Sequence, residues 1–345
     1  MKYRIITHGN CTDGLCSAFI VKRNFNILFN KNLTDEEIKR IEVVGLQPKE
    51  VQLGEFELTE NDVVLDLPQP KKKVFSWFDH HLTSKLRKEE FPENYYWKKM
   101  PSCCGYLLEI AFDKGLEKTE ELIEFQKAID KIDDADYTKK DIELCYYKQD
   151  NYASPTFLQK LHMVGSMYHT RDRILDDEIF KTILYLNLGE TPFSTEELWQ
   201  LNPLMFYIAQ LKSYELWRED VDEYIYYDEK SKCVVQDDRN IKFTRGVSDR
   251  FYAYMKYPEA SYGINLKVFN EKLVRVSIGS NIFHKDRCKV DINKLCFVIG
   301  KMFGDGSGGG HYHVGGAMVY IDKSDEALKF ILESFRKEKI KFHLS

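Results

Sequence analysis

The tripeptide Asp79-His80-His81 constrains this chain more than any other stretch. It follows residues 74–78, a mostly apolar run of β-forming residues that predicts a buried strand. In open α/β sheets, ligands bind beside the carboxyl ends of the strands, where this strand would place one carboxylate and two imidazoles. Neighbouring strand residues point to opposite faces, so both imidazoles can serve one site only where the strand ends. The tripeptide alone is equally compatible with a solvated surface loop.

Polar residues close other predicted elements of the N-terminal part in the same way. Residues 3–7 predict a first strand, and a glycine-containing loop and a helix from Leu15 to about Asn24 follow it, as in a βα unit. Residues 63–65 predict a brief strand that ends in Asp66. A helix over residues 120–132 ends in a run with three carboxylates, where the helix dipole disfavours negative charge. A bound cation would explain that run, and a solvated helix end is the alternative.

The pattern of the chain changes twice. Residues 154–226 are largely helical, and after Tyr226 several β-type runs, a helix and a glycine-rich loop follow. This pattern predicts an α/β protein of two domains. Residues 1–150 would form a mostly parallel sheet with flanking helices, residues 151–226 a helical connection packed on that domain, and residues 227–345 a smaller mixed α/β domain.

The composition of the chain limits the classes of binding partner and the cellular compartment that we expect. The 345 residues are enough for two hydrophobic cores, and a net charge of −5 offers no general attraction to long nucleic acids. None of the eight cysteines forms a Cys-x-x-Cys pair, zinc-finger spacing is absent, and neither a secretory leader nor a membrane-spanning apolar run is visible. We therefore expect a cytoplasmic protein that acts on short or small substrates.

The predicted elements bring together a donor set of carboxylates and imidazoles: His8, Asp13, Asp66, Asp79-His80-His81 and the acidic run of residues 133–136. This mixture suits Mn²⁺ or Mg²⁺ better than a structural zinc ion, which favours thiolates. Two such ions about 3.5–4 Å apart would bind both an attacking hydroxide and the phosphoryl oxygens of a substrate.

The ordered set of motifs resembles the DHH phosphoesterase superfamily, which is named for the Asp-His-His tripeptide. The C-terminal part resembles the DHH-associated substrate domain, whose hallmark is a Gly-Gly-Gly-His loop, here Gly308-Gly309-Gly310-His311. The resemblance covers essentially the whole chain and implies a phosphoesterase that uses two Mn²⁺ ions, with Mg²⁺ as the alternative. The glycine loop would bind substrate, because consecutive glycines let backbone N–H groups approach an anion. A hairpin connection is the structural alternative.

The resemblance also implies roles for single residues at the N-terminal motifs. His8 and Asp13 would bind one metal ion, and Asp66 would bridge both ions. His80 would be a further ligand. His81 would face the scissile phosphate.

Two further roles follow from the resemblance. Asp79 would orient the two imidazoles. The acidic run would supply one more ligand, with Asp134 as the first choice, Asp136 as the second and Asp133 as the third.

The chain departs from the family pattern in two places, the first loop and the strand before the glycine loop. Many members carry aspartates four and six residues after the first histidine, where this chain has Thr12 and Gly14. Either Asn10 or Cys11 would then complete the ligand set, and a thiolate would shift the preference towards softer ions. A glycine, Gly279, also stands where many members have a phosphate-binding arginine; Arg275, Lys285 or Arg287 would have to replace it.

The Cys-x-Asp-Gly form of the first loop resembles the oligonucleotide-degrading branch of the superfamily. We therefore expect a phosphodiesterase that hydrolyses short oligonucleotides or linear dinucleotides to 5′-mononucleotides. A nucleotide phosphatase or a pyro- or polyphosphate hydrolase on the same site is the enzymatic alternative. A nucleotide-binding sensor without activity is the alternative from another class.

Overall fold

The computed structural model describes residues 2–9, 11–81, 94–150, 152, 154–170, 175, 177–188, 203–310 and 312–338. The chain divides into two compact units, one formed by Met1–Asp136 and Gln149–Ala209, the other by Tyr137–Lys148 and Gln210–Ser345. Both are α/β, so the predicted fold class is confirmed. Among the described helices, none has the length and apolar character needed to cross a membrane.

The strands, in chain order, are β1 (Arg4–His8), β2 (Glu42–Leu46), β3 (Asp62–Leu65), β4 (Ser76–Asp79), β5 (Tyr95–Trp97), β6 (Ile225–Asp228), β7 (Cys233–Asp237), β8 (Tyr262–Val268), β9 (Leu273–Ser280), β10 (Gly308–Gly310) and β11 (Val314–Tyr320). The described helices are α1 (Thr12–Arg23), α2 (Phe25–Phe29), α3 (Asp35–Lys39), α4 (Pro48–Leu53), α5 (Cys103–Asp113), α6 (Glu120–Asp133), α7 (Lys139–Tyr146), α8 (Phe157–Thr170), α9 (Asp177–Leu188), α10 (Pro203–Val221), α11 (Tyr252–Lys256), α12 (Ile292–Phe303) and α13 (Ser324–Arg336).

The sheet of the first unit is parallel throughout, with the strand order β2-β1-β3-β4-β5. Every residue of β3 and β4 is buried, as expected for central strands covered on both faces. The chain leaves β1 towards β2 on one side and returns to β3 on the other. The strand order therefore reverses between β1 and β3, which is where ligands bind in open α/β sheets.

The sheet of the second unit is mixed, with the order β10-β11-β9-β8-β7-β6, in which only the pair of β7 and β8 is parallel. One face of it packs on α12 and α13 around a core that includes Val235, Val276 and Ile299. Helix α7 belongs to this unit. The guanidinium of Arg218 forms an ion pair with Asp249 at 2.6 Å and donates a hydrogen bond to the carbonyl of Tyr146, the last residue of α7.

Candidate metal centre

Three neighbouring strands of the parallel sheet end in potential ligands. His8 is the last residue of β1, Asp66 directly follows β3, and Asp79 is the last residue of β4. Asp66 has a left-handed backbone (φ +52°), and its N–H donates a 3.0 Å hydrogen bond to the carbonyl of Phe78 on the adjacent strand. This turn ends the strand sharply at the point where the strand order reverses. The sheet topology therefore gathers residues that lie far apart in the sequence.

The buried carboxylate of Asp66 occupies the middle of the cluster, with its two oxygens facing different neighbours. Oδ1 lies 3.4 Å from His80 Nε2 and 3.6 Å from His81 Nδ1. Oδ2 lies 3.2 Å from Cys11 Sγ and 3.5 Å from His8 Nδ1. Burial alone would raise the pKa of Asp66, but the imidazoles of His8 and His80 hold that pKa well below its usual range. This is the arrangement that a bridging ligand requires.

Asp66, Asp79, His80 and His81 form one group of donors close enough to share an ion, and the described residues offer two further sets. The first set, which we call the His80 group, consists of Asp13, His80 and Asp133. His80 Nε2 lies 3.4 Å from Asp133 Oδ2 and 3.8 Å from Asp13 Oδ2. The other ring nitrogen, Nδ1, is 3.0 Å from the carbonyl oxygen of Met100, so Nδ1 carries the proton and Nε2 presents its lone pair in the neutral imidazole. Burial alone would lower the pKa of His80, but Asp66, Asp13 and Asp133 raise it to about 10.

The carboxylate of Asp13 is held by the first turn of α5. Its Oδ2 accepts a 2.8 Å hydrogen bond from the N–H of Cys103, and its Oδ1 accepts a 2.9 Å hydrogen bond from the N–H of Cys104. The helix dipole favours an anion at this position. Burial, followed by the charges of Asp66 and Asp133, nevertheless raises the pKa of Asp13. Two backbone donors thus fix the position of a carboxyl group whose ionisation is opposed by burial and by the neighbouring carboxylates.

Within the acidic run at the end of α6, the carboxylate that lies next to the other donors is that of Asp133, the third choice from the sequence. Asp133 is the last residue of the helix, and Asp134 is its C-cap. Ala135 then takes a left-handed backbone (φ +49°), and the N–H of Asp136 bonds the carbonyl of Lys131 at 3.0 Å. These features form a Schellman-type helix end. Among the described residues, the donor groups that could hold an ion include Asp133 and neither Asp134 nor Asp136.

The second set, which we call the His8 group, consists of His8, Cys11 and Asp66. Cys11 is the N-cap of α1, and its Sγ lies 3.3 Å from His8 Nδ1. Burial, followed by the charge of Asp66, raises the pKa of the Cys11 thiol well above its usual value. The resemblance implied that His8 and Asp13 bind one ion, whereas in the structure they lie in different donor groups. Asn10, the other candidate, lies outside the described residues.

Asp79 contacts both histidines of the tripeptide through one oxygen. Its Oδ1 accepts hydrogen bonds from the backbone N–H groups of His80 (2.8 Å) and His81 (3.2 Å) and from His81 Nδ1 (2.8 Å). The carbonyl of His81 also accepts a 2.7 Å hydrogen bond from the indole of Trp97. Burial would lower the pKa of His81, but the hydrogen bond to Asp79 raises it to about 9. This is the geometry that the predicted orienting role of Asp79 requires.

The donor atoms fit divalent cations. Asp66 Oδ1 and His80 Nε2 are buried and have no hydrogen-bond partner among the described residues, although burying polar atoms unpaired is costly. The carboxyl groups of Asp13, Asp66, Asp79 and Asp133 also cluster here, and a phosphate would meet their negative charge when they are ionised. A cation would satisfy both orphaned atoms and offset that charge. The oxygen and imidazole donors of the His80 group suit Mn²⁺ or Mg²⁺.

The three glycines of the predicted glycine loop form the short edge strand β10, which pairs antiparallel with β11, and packing largely explains them. A side chain on Gly308 would collide with the backbone carbonyl of Cys296 on α12, and Gly310 has φ +147°. The N–H of Gly310 donates a 2.9 Å hydrogen bond to Asn293 Oδ1. A Cβ on Gly309, in contrast, would meet nothing closer than that amide oxygen at 3.5 Å. Packing and backbone conformation therefore explain Gly308 and Gly310 but not Gly309. His311, the last residue of the motif, lies outside the described residues.

Gly279, which stands in place of the expected arginine, also has a packing reason. The hydroxyl of the buried Tyr254 lies over the sheet at this point, 3.0 Å from where a Cβ of Gly279 would be, and closer still to that of Gly263 on the neighbouring strand. A longer side chain at Gly279 would displace this ring. Arg275, on the same strand, is exposed.

Comparisons with known proteins connect this architecture to solved structures. No family model and no curated protein matches the sequence. The chain is similar to a pGpG-specific phosphodiesterase, PggH from Vibrio cholerae, with a TM-score of 0.65 at 20% identity over 98% of this chain and 100% of that one. It is similar to the DHH domain PF0399, described as a member of the s1p family of ribosomal proteins, with a TM-score of 0.62 at 14% identity over 98% and 86% of the two chains.

A further similar structure is RecJ from Thermus thermophilus in complex with Mn²⁺, with a TM-score of 0.56 at 12% identity. The match covers 99% of this chain and 52% of RecJ, so this chain spans about half of RecJ. At these identities the comparisons establish a shared fold.

Proposed function

We propose that this chain, which has the fold of the DHH phosphoesterases, is a two-metal phosphodiesterase that hydrolyses short oligonucleotides or linear dinucleotides to 5′-mononucleotides. The predicted resemblance is confirmed for the fold. The observation that carries the proposed activity is Asp66, whose two oxygens face two separate donor groups at the carboxyl ends of neighbouring strands. Such sharing of one carboxylate is what a pair of ions about 3.5–4 Å apart requires.

The residues of the chain supply positioning and charge. Asp13, His80 and Asp133 would hold one ion, His8 would hold the other, and Asp66 would bridge them. When bound, the two ions supply Lewis-acid polarisation of the phosphoryl oxygens and activation of the attacking water. The backbone donors on Asp13 and the bond between His80 Nδ1 and the Met100 carbonyl keep these ligands in place before substrate arrives.

His81 is the residue that we assign to the scissile phosphate. Its Nδ1 is engaged by Asp79, so a contact with a phosphate oxygen falls to Nε2, and its side chain is 35% exposed. Because the carboxylate of Asp79 favours the charged imidazole, His81 would donate a proton or stabilise negative charge that develops in the transition state. The carboxylate that orients His81 therefore comes from the same tripeptide, as Asp79.

The choice of a linear dinucleotide or short oligonucleotide rests on two further points. PggH, a similar structure whose full length is matched, is described as specific for pGpG. The net charge of −5 offers no general attraction to a long polyanion. We assign a binding role for the unreactive part of the substrate to Gly308-Gly309-Gly310-His311, and we take Mn²⁺ as the preferred ion of the His80 group.

The decisive experiment is a Mn²⁺-supplemented hydrolysis screen of linear dinucleotides, cyclic dinucleotides, bis-phosphorylated nucleotides and pyrophosphate, with products identified by mass. We expect linear dinucleotides to yield 5′-mononucleotides, and we expect Asp66→Asn to yield none. Preferential release of inorganic phosphate from monophosphates or pyrophosphate would replace the proposal by the phosphatase alternative. Nucleotide binding without turnover, in protein shown to bind Mn²⁺, would identify a sensor.

A further inference from the structure

Cys11 contributes a sulfur atom to a cluster otherwise made of imidazole and carboxylate donors. Its Sγ lies 3.3 Å from His8 Nδ1 and 3.2 Å from Asp66 Oδ2, and the three ligand atoms of the group all lie within 4.8 Å of one another. All eight cysteines are in the described part of the chain. Seven of them are buried, and Cys11 is the one that is partly exposed.

Helix capping does not account for a cysteine at this position. Cys11 Sγ accepts a hydrogen bond from the N–H of Gly14 at 3.2 Å, which is the N-cap bond of α1. Serine, aspartate and asparagine are the residues that fill this role best, because their oxygens are stronger acceptors than a thiol sulfur. Capping alone therefore does not explain the choice of sulfur at this position.

The two donor groups differ in chemical character. The His80 group offers two carboxylates and one imidazole, which suit Mn²⁺ or Mg²⁺, whereas the His8 group offers an imidazole, a sulfur and one carboxylate oxygen. Thiolates select thiophilic ions over Mn²⁺ and Mg²⁺. Asp66 places one oxygen near each group. The softer character of the His8 group therefore comes from the sulfur of Cys11.

We infer that Cys11 is a thiolate ligand of the ion held by His8 and Asp66, so that the centre has one thiophilic position and one position for a hard ion. The thiophilic position would take Zn²⁺, Co²⁺ or Cd²⁺, and the other would take Mn²⁺ or Mg²⁺. Binding replaces the S–H bond by a bond between sulfur and the metal and releases the proton to solvent, without any change of oxidation state. The inference rests on the proposed function for the presence of two ions.

Co²⁺ titration of the full chain, freed of metal, tests this inference, because a bond between sulfur and cobalt produces a charge-transfer absorption that oxygen and nitrogen ligands do not. Cys11→Ser keeps an acceptor for the N–H of Gly14 but removes the thiolate. Cys11→Asp also keeps the cap and supplies a carboxylate instead. Cys16→Ala is the control, since Cys16 lies in the same helix, is buried and belongs to none of the donor groups found among the described residues.

We expect the charge-transfer band in the wild type and in Cys16→Ala, with one of two bound Co²⁺ ions responsible for it. Cys11→Ser and Cys11→Asp should lack the band. Cys11→Ser should also weaken Cd²⁺ binding at one position by at least roughly 10–100-fold, because mutation of a residue that only hydrogen-bonds to a metal ligand already lowers metal affinity by that much. Cys11→Asp should bind Mn²⁺ at both positions at least as tightly as the wild type.

Two results would overturn the assignment: two bound Co²⁺ ions without the band in the wild type, or a band that persists in Cys11→Ser. The first uses the unaltered protein and so does not depend on the folding of a variant. Hydrolysis of a linear dinucleotide with Mn²⁺, measured on the same preparations, separates this inference from the proposed function. A charge-transfer band without hydrolysis would refute the proposed function but support Cys11 as a ligand. Hydrolysis without the band would support the proposed function but refute Cys11 as a ligand.

Discussion

Asp66 Oδ1 lies 3.4 Å from His80 Nε2, and both atoms are buried without a hydrogen-bond partner among the described residues. The two residues follow neighbouring parallel strands, and their backbones are held by bonds from Asp66 N–H to the Phe78 carbonyl and from His80 N–H to Asp79 Oδ1. Two buried polar atoms that the backbone holds this close to each other define a position for a third group. A divalent cation fits the acceptor character of both atoms.

A first prediction concerns stability with and without metal. Mn²⁺ at roughly 100 times its Kd should raise the free energy of unfolding of the wild type by about 2.7 kcal/mol, because only the folded chain assembles the ligands. Asp66→Asn should remove most of this gain, measured as the shift in Tm between Mn²⁺ and a chelator. Asp62→Asn is the matched control: this buried carboxylate pairs with Arg4 at 2.7 Å at the opposite end of β3. It should lower Tm but keep the Mn²⁺ shift; loss of the shift in both variants would contradict the site.

A second prediction distinguishes the acidic residues after α6. Asp133→Asn should weaken Mn²⁺ binding by at least roughly 10–100-fold, because Asp133 Oδ2 lies 3.4 Å from His80 Nε2. Asp134→Asn and Asp136→Asn should leave the affinity nearly unchanged, since neither residue belongs to a donor group of the described chain. Isothermal titration of the three purified variants makes the comparison. A loss confined to Asp134→Asn would restore the first choice made from the sequence.

A third prediction separates a residue that acts on the phosphate from the residue that orients it. His81→Ala should lower kcat and kcat/KM together by on the order of 10²–10⁴-fold, as expected for an interaction made in the transition state. Asp79→Asn keeps an oxygen acceptor for the N–H groups of His80 and His81 but removes the charge, so its loss should be smaller, roughly 10–100-fold. Steady-state kinetics at saturating Mn²⁺ provides the test. A pure KM effect in His81→Ala would show that this histidine only binds substrate.

A fourth prediction concerns the glycine loop. Gly308→Ala should lower the free energy of unfolding by about 1–3 kcal/mol, because its methyl group would meet the carbonyl of Cys296. Gly309→Ala has room for its methyl group, so its stability should match the wild type or exceed it by up to about 1 kcal/mol. If the loop binds substrate, Gly309→Ala should raise KM for a dinucleotide more than for bis-p-nitrophenyl phosphate. Unchanged KM values for both substrates in this stable variant would assign the loop a structural role alone.

The amino-acid sequence by itself determined which acidic and imidazole side chains lie at the carboxyl end of each strand of the site. His8, Asp66 and Asp79 each close an apolar run, and the carboxyl ends of parallel strands meet at one edge of a sheet, so their proximity follows from local pattern and topology rules. The same local patterns indicated the helix ending in the acidic run and the change to β-structure after Tyr226.

Only the tertiary structure decided how the ligands are grouped. Successive helix residues differ by about 100° around the axis. The last turn of α6 brings Asp133 next to His80, and the run of carboxylates in the sequence does not reveal that phase. Asp13 joins His80 because the first turn of α5, ninety residues away in the chain, holds its carboxylate. Cys11 meets His8 and Asp66 because an N-cap turns its side chain back towards the start of the helix. Helix phase, capping and packing between distant elements are properties of the folded chain, and they decide which donor groups lie together.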